Sequence, residues 1–250
     1  MKHILTIVGL GLFFASCNKE IDETPPVIEN MTIDGESDEI YLPIESTFEI
    51  TALINELGGK GQMKLDIHSN FDGHGHKNDL VDYSHIEIYD IEGENHTFTD
   101  SYTIPDDVKA GPYHVGLFAI DEAGNESNEA IMDLIVTRLD APQVNITAPD
   151  FSNDLTYASG DTIHLEGIVA DDESLVEVIV SLKQINGDGE AYNNDFDLAS
   201  NPQSWDFQTD GNLNIAIASG LPTGKYSLLI RAEDNLGNIT LHREQVNLTD

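Results

Sequence analysis

Apolar and polar positions alternate with a period of two through most of the chain. Tyr113, Val115, Leu117 and Ala119 form one such ladder, and Tyr226, Leu228, Ile230 and Ala232 form another. This is the pattern of a half-buried strand, with one face on a core and one in water. Similar stretches predict strands at 47–50, 64–68, 84–89, 97–103, 131–136, 162–165, 176–182 and 213–218. No segment of ten or more residues carries helical periodicity. The sequences Asp121-Glu-Ala-Gly-Asn125 and Asp234-Asn-Leu-Gly-Asn238 read as turns, in which glycine supplies a positive φ and the Asx side chains bond back to the backbone. The expected fold class is all-β.

The two ladders belong to an internal repeat. Gly111, Tyr113, Ala119, Asp121, Gly124 and Asn125 recur as Gly224, Tyr226, Ala232, Asp234, Gly237 and Asn238, at a constant offset of 224 − 111 = 113. Two homologous domains follow, at 24–137 and 141–250, with a boundary near 138–142. A Tyr that opens the penultimate strand and an Ala-x-Asp-x-x-Gly-Asn that closes it resemble bacterial immunoglobulin-like or fibronectin-III-like sandwiches. The resemblance implies two tandem Ig-like β-sandwiches, with Tyr113 and Tyr226 as core or corner tyrosines and Asp121 and Asp234 as turn formers.

The N-terminus carries a different pattern. Lys2 and His3 precede an apolar run from Ile4 to Phe14, then Ala15, Ser16 and Cys17, the single cysteine. The run is too short to span a bilayer and has the form of a signal peptide over residues 1–16. Phe-Ala-Ser-Cys resembles the lipobox of bacterial lipoproteins, which implies lipid attachment at Cys17 and anchoring to a lipid bilayer. The tether 17–23 reads Cys-Asn-Lys-Glu-Ile-Asp-Glu, which resembles the export signal of Bacteroidetes surface lipoproteins. It implies an outer-membrane protein facing the cell exterior, with the periplasmic face as the alternative. With Cys17 lipidated, the domains have no disulfides and depend on packed cores.

Charge narrows the partners. Eleven Lys and Arg against 46 Asp and Glu give a formal charge of −35. Such a surface repels nucleic acid, which is excluded as a partner. It attracts cations, although most of the acidity is accounted for by solubility alone.

The densest candidate chemistry lies between Asp66 and Asp79. His68, His74 and His76 fall within nine residues, with Asp72 among them and Asp66 and Asp79 to either side. Imidazole with carboxylate is a ligand set for Zn²⁺ or Cu²⁺, whereas Ca²⁺ loops need alternating oxygens that are missing here. The first domain holds six histidines (68, 74, 76, 85, 96 and 114) and the second two (164 and 242). The ranked metal ligands are His74 and His76, then His68, then Asp72, with His85 and His114 in reserve. Alternation suggests that Ile86 and Ile88 face the core, so that His68, His85 and His114 share an outer face. Phe71 reads as an apolar plug.

The string Ile67-His-Ser-Asn-Phe-Asp-Gly-His-Gly-His76, together with the lipobox, resembles a family of Bacteroidetes lipoproteins known as domain of unknown function 4625. The likeness covers roughly 24–137 and implies a sandwich with an inserted His loop, but no activity. The chain has no Gly-x-Ser-x-Gly, His-Glu-x-x-His or phosphate loop, so no enzyme is expected. Two functions remain. One is a surface-anchored protein binding Zn²⁺ or Cu²⁺ through the His loop. The other is a structural or adhesive module for surface protein or glycan, with Tyr192, Trp205 and Phe207 as a candidate platform.

Overall fold

A computed structural model describes residues 22–71 and 83–250. The first domain contains β1 (Val27–Ile33), β2 (Ile40–Pro43), β3 (Thr47–Asn55), β4 (Gly59–Ser69), β5 (Ser84–Gly93), β6 (His96–Thr103), β7 (Gly111–Asp121) and β8 (Ala130–Thr137). A three-stranded sheet, β1-β3-β6, faces a five-stranded sheet, β2-β8-β7-β4-β5. Neighbours are antiparallel except for β2 and β8. Phe48, Ile50, Ala52 and Ile54 of β3 point at Met63, Leu65 and Ile67 of β4 and at Val115, Leu117 and Ala119 of β7. Each aliphatic side chain buried in this way contributes about 1.5–3 kcal/mol before entropy is counted.

The second domain repeats the plan with β9 (Gln143–Ala148), β10 (Leu155–Ala158), β11 (Thr162–His164), β12 (Glu166–Ala170), β13 (Leu175–Gln184), β14 (Glu190–Asp197), β15 (Ser204–Asp206), β16 (Asn214–Ala216), β17 (Gly224–Asp234) and β18 (Ile239–Thr249). Its large sheet, β10-β18-β17-β13-β14, has the order of its counterpart, again with one parallel pair, β10 and β18. The small sheet is split into β15-β12-β9 and β11-β16. The break falls beside Gly167, at φ +153°, where a Cβ would lie 2.3 Å from the Asn145 carbonyl oxygen. Only glycine fits that approach.

Both repeat tyrosines are buried corners. The Tyr113 hydroxyl donates to the Lys109 carbonyl at 3.1 Å, and that of Tyr226 to the Pro222 carbonyl at 2.8 Å. The second domain docks beside the first of these corners. Ala110 N–H donates to Asn238 Oδ1 at 3.0 Å, and Ile239 N–H donates back to the Ala110 carbonyl at 2.9 Å. Ile239 is buried in the first domain's core, with Leu241 against it. Arg243 reaches Glu39 at 2.5 Å and the Tyr41 hydroxyl at 3.2 Å. At the other end of β7, Asn125 Nδ2 donates to the Asp22 carbonyl at 3.1 Å. An eleven-residue strand separates the two contacts, roughly 33 Å at 3.3 Å per residue.

Candidate functional site

Strand register builds the histidine face. His68 on β4 lies opposite His114 on β7, and His114 lies opposite Asp133 on β8. Their core-facing neighbours, Ile67, Tyr113 and Val115, fix both imidazoles on the outer side of the sheet. The two rings meet edge to face with centroids 5.6 Å apart. His68 Nδ1 is 3.0 Å from Asp66 Oδ1, and Lys64 Nζ is 3.0 Å from Asp66 Oδ2. His114 Nε2 is 3.3 Å from Asp133 Oδ1. Burial works against the Asp66 charge, but hydrogen bonds from Lys64 and His68 outweigh it and hold the carboxyl below the usual range. Each imidazole thus has one nitrogen on a carboxylate, the arrangement that backs a metal-bound histidine. His68 Nε2 and His114 Nδ1 are the donors a metal would use.

His85 does not join them. It pairs with Ile67 in the register, and opposite residues of an antiparallel pair share a face, so His85 points inward. Ile86 and Ile88 point outward instead and are 61% and 64% exposed. Alternation gives two faces without saying which is inner, and the register of β5 on β4 turns the polar-aromatic face inward. Asp72, His74, His76 and Cys17 lie outside the described residues. Among the described residues, no group of three or more His, Cys, Asp or Glu is arranged to hold a metal ion. Zn²⁺ needs at least three protein ligands, so His68 and His114 do not by themselves make a site.

The inward side of β5 forms a polar seam against β6 that sequence reasoning missed. The His85 ring lies 5.3 Å from that of Tyr102 and stacks on Tyr83 at 6.3 Å. The Tyr89 hydroxyl is 2.5 Å from that of Tyr102 and donates to Asp100 at 3.0 Å. Burial, with Asp100 and Glu87 nearby, pushes the Tyr102 hydroxyl up to about 12. The signal was there in Tyr83, His85, Glu87 and Tyr89, a polar-aromatic ladder at every second residue.

The platform expected on the second domain is core. Phe207 is fully buried, and Trp205 packs on Phe196 with ring centroids 4.8 Å apart. Phe71 is the plug expected of it: its ring packs on Tyr113 at 5.3 Å and fills the space where a Cβ on Gly111 would stand.

The junction of the two domains encloses a cleft of about 790 Å³. Its apolar wall includes Tyr41, Ile44, Leu139, Ile239 and Leu241, with Arg138 on the rim. Arg138 is fixed by two bonds to Asp140, at 2.8 and 3.0 Å, and by donation to the Asp106 and Val108 carbonyls. The bonds to Asp140 raise its basicity and lower that of the carboxylate. Leu139, in the linker, is fully exposed. A cleft of this size between domains falls within the range of ligand sites.

Sheet order, parallel edge strands and tyrosine corners define a tandem immunoglobulin-like β-sandwich protein. A family model matches the chain twice, over residues 15–136 and 132–249. The chain therefore belongs to the family described as Domain of unknown function (DUF4625). No curated protein matches it. Among solved structures, latent PorU from Porphyromonas gingivalis is 12% identical, with a TM-score of 0.33, over 90% of this chain and 24% of that one. The fibronectin(III)-like modules of Clostridium thermocellum CbhA are 13% identical, with a TM-score of 0.26, over 88% and 93%. The Bacteroides ovatus mixed-linkage glucan utilization locus protein SGBP-B, solved with a heptasaccharide, is 13% identical, with a TM-score of 0.28, over 91% and 48%. This chain thus spans about a quarter of PorU and about half of SGBP-B, and likenesses this weak carry no argument about ligand.

Proposed function

We propose that the protein is a non-enzymatic binding module, anchored through Cys17 in the outer membrane and facing outward, that holds a protein segment between its two sandwiches. The observation that carries this reading is the 790 Å³ cleft at the interlocked junction. Its wall is chiefly aliphatic, and Tyr41 is its one aromatic ring. Sugar recognition leans on stacked aromatics, whereas a chiefly aliphatic wall suits apolar side chains of a protein segment. The lipobox-like residues before Cys17 and the acidic tether support the anchor.

The test uses whole cells and purified chain together. Protease added to intact cells is expected to remove the protein, whereas protection would place it on the periplasmic face. Purified chain is expected to retain a protein from surface extracts, and Leu139→Asp to lose it. Glycan-array binding that persists in Leu139→Asp would contradict the reading.

A second reading, binding of Zn²⁺ or Cu²⁺, is favoured by the His68–His114 pair with its two backing carboxylates. Isothermal titration distinguishes it. Stoichiometric, sub-micromolar binding lost in His68→Ala/His114→Ala supports a site that these two share with further ligands. Weak binding unchanged by the variant means that the acidic surface merely attracts cations.

A further inference from the structure

The two large sheets end differently. In the second domain the edge strand β14 turns Asn193, Asp195 and Asp197 to the outer face, opposite Ser181, Ile179 and Glu177 of β13. Charged side chains on an edge keep other strands away. The equivalent edge of the first domain, β5, turns out Ile86 and Ile88 instead, more than half exposed, and among the described residues its outer edge pairs with no strand. The sister domain shows that the fold does not need apolar residues there. A long edge strand with outward isoleucines is a template for another strand.

The sequence of β5 specifies which strand. A two-fold axis perpendicular to the sheet keeps outward residues facing outward residues, so the allowed registers differ by steps of two. With Ile86 opposite Ile86 of the partner subunit, His85 falls opposite the partner's Glu87 and Glu87 opposite the partner's His85. In the same register Tyr83 faces the partner's Tyr89, and Ile88 faces the partner's Ser84. Hydrogen-bonded polar pairs, here imidazole with carboxylate, and aromatic cross-strand pairs both stabilise an antiparallel ladder. A slide of two residues puts Glu87 directly against the partner's Glu87, which is unfavourable. We propose that β5 is the interface of a homodimer, two copies joined antiparallel through residues 83–89 with Ile86 at the two-fold axis, making one continuous ten-stranded sheet. The occupant is a second copy because in this one register the polar, aromatic and aliphatic residues of the strand each meet a matching residue of the same strand. The junction cleft lies by β2, at the other edge of the sheet, and stays open, so the dimer stands independently of what the cleft binds.

So short an interface makes a weak dimer in solution. Sedimentation equilibrium of the full chain carrying Cys17→Ser is expected to show a concentration-dependent monomer–dimer equilibrium. Ile86→Lys is expected to weaken it by more than about tenfold in Kd with an unchanged circular dichroism spectrum. Ile131→Lys, equally exposed on the same sheet face but away from the edge, is expected to change Kd by less than about twofold. In the same background, mild oxidation of Ile86→Cys is expected to give a disulfide-linked dimer about tenfold faster than Ile88→Cys, since only residue 86 meets its own copy. A dimer lost with Ile131→Lys rather than Ile86→Lys would overturn the proposal, and equal linking of the two cysteine variants would overturn the register. A chain that stays monomeric at every concentration would also overturn it and leave β5 to a strand of some other protein.

Discussion

The turns at 121–125 and 234–238 are the same object used in two ways. In both, the leading aspartate accepts from the asparagine backbone N–H at 2.8 Å and from its Nδ2 at 2.8 Å. In the first domain the asparagine then reaches the Asp22 carbonyl of the incoming tether, and Glu126 follows, exposed. In the second, Asn238 accepts from Ala110 of the neighbouring domain, and Ile239 follows, buried in that domain's core. A shared turn sets the backbone, and the residue after it decides whether that end is a terminus or a joint. Burial opposes the Asp121 charge, but bonds from the Asn125 side chain and local backbone N–H groups hold the carboxyl below the usual range. At the joint burial prevails, helped by the charge of Asp171, and pushes the Asp234 carboxyl up to about 6.

The residue after the turn has the largest expected effect. Ile239→Ala removes a buried aliphatic side chain, at a cost of about 2–4 kcal/mol, and is expected to separate the melting of the two domains in calorimetry. Glu126→Ile, its mirror image, is expected to shift stability by less than about 0.5 kcal/mol, since that position is exposed.

The aspartates should part in their pH dependence. For Asp234, with its folded value raised, the contribution to stability is fully present below the unfolded value of about 3.9 and is lost as pH rises through about 6. Asp171, raised first by burial, acts in the same direction, and its buried Oδ2 has no hydrogen-bond partner among the described residues. Asp121 acts oppositely: its contribution is present above the unfolded value and lost as pH falls through its lowered one. Thermal melts of the wild-type chain from pH 7 to 5 are expected to show a gain at the joint of about 1 kcal/mol, which Asp234→Asn flattens. A wild-type chain equally stable at both pH values would deny the difference between the two turns.

Smaller effects compare the corners and the histidine face. Tyr113→Phe and Tyr226→Phe each lose one buried hydrogen bond, about 1 kcal/mol by denaturant titration, and the two costs should match. His114→Ala, at a partly exposed position, is expected to change stability by less than about 0.5 kcal/mol.

The long central strands were legible because their alternation is strict and their inner residues apolar, as in β4, β7, β13 and β17. The edges were not. β14 is polar on almost every residue, and β2 spans four residues without full burial, so neither carries a period-two signal. On β5 the alternation is clear but its sense is not. Only the pairing of Ile67 with His85 tells which side faces the core. The outward aspect of His68 and His114 followed from alternation, since each sits beside core residues on a central strand, but their pairing did not, because alternation does not say which strands are neighbours. The junction was illegible for another reason: Ala110 and Asn238 lie 128 residues apart, and nothing local marks them as partners.

The claim beneath this account is that Asn238 and Ile239 lock the two sandwiches into one body around a fixed cleft. Backbone ¹⁵N relaxation measures it most directly, by giving a rotational correlation time for each domain. The account requires the same time for both domains in the wild-type chain, and two shorter, independent times in Ile239→Ala. Independent tumbling of the wild-type domains would contradict it, because the cleft would then have no fixed walls.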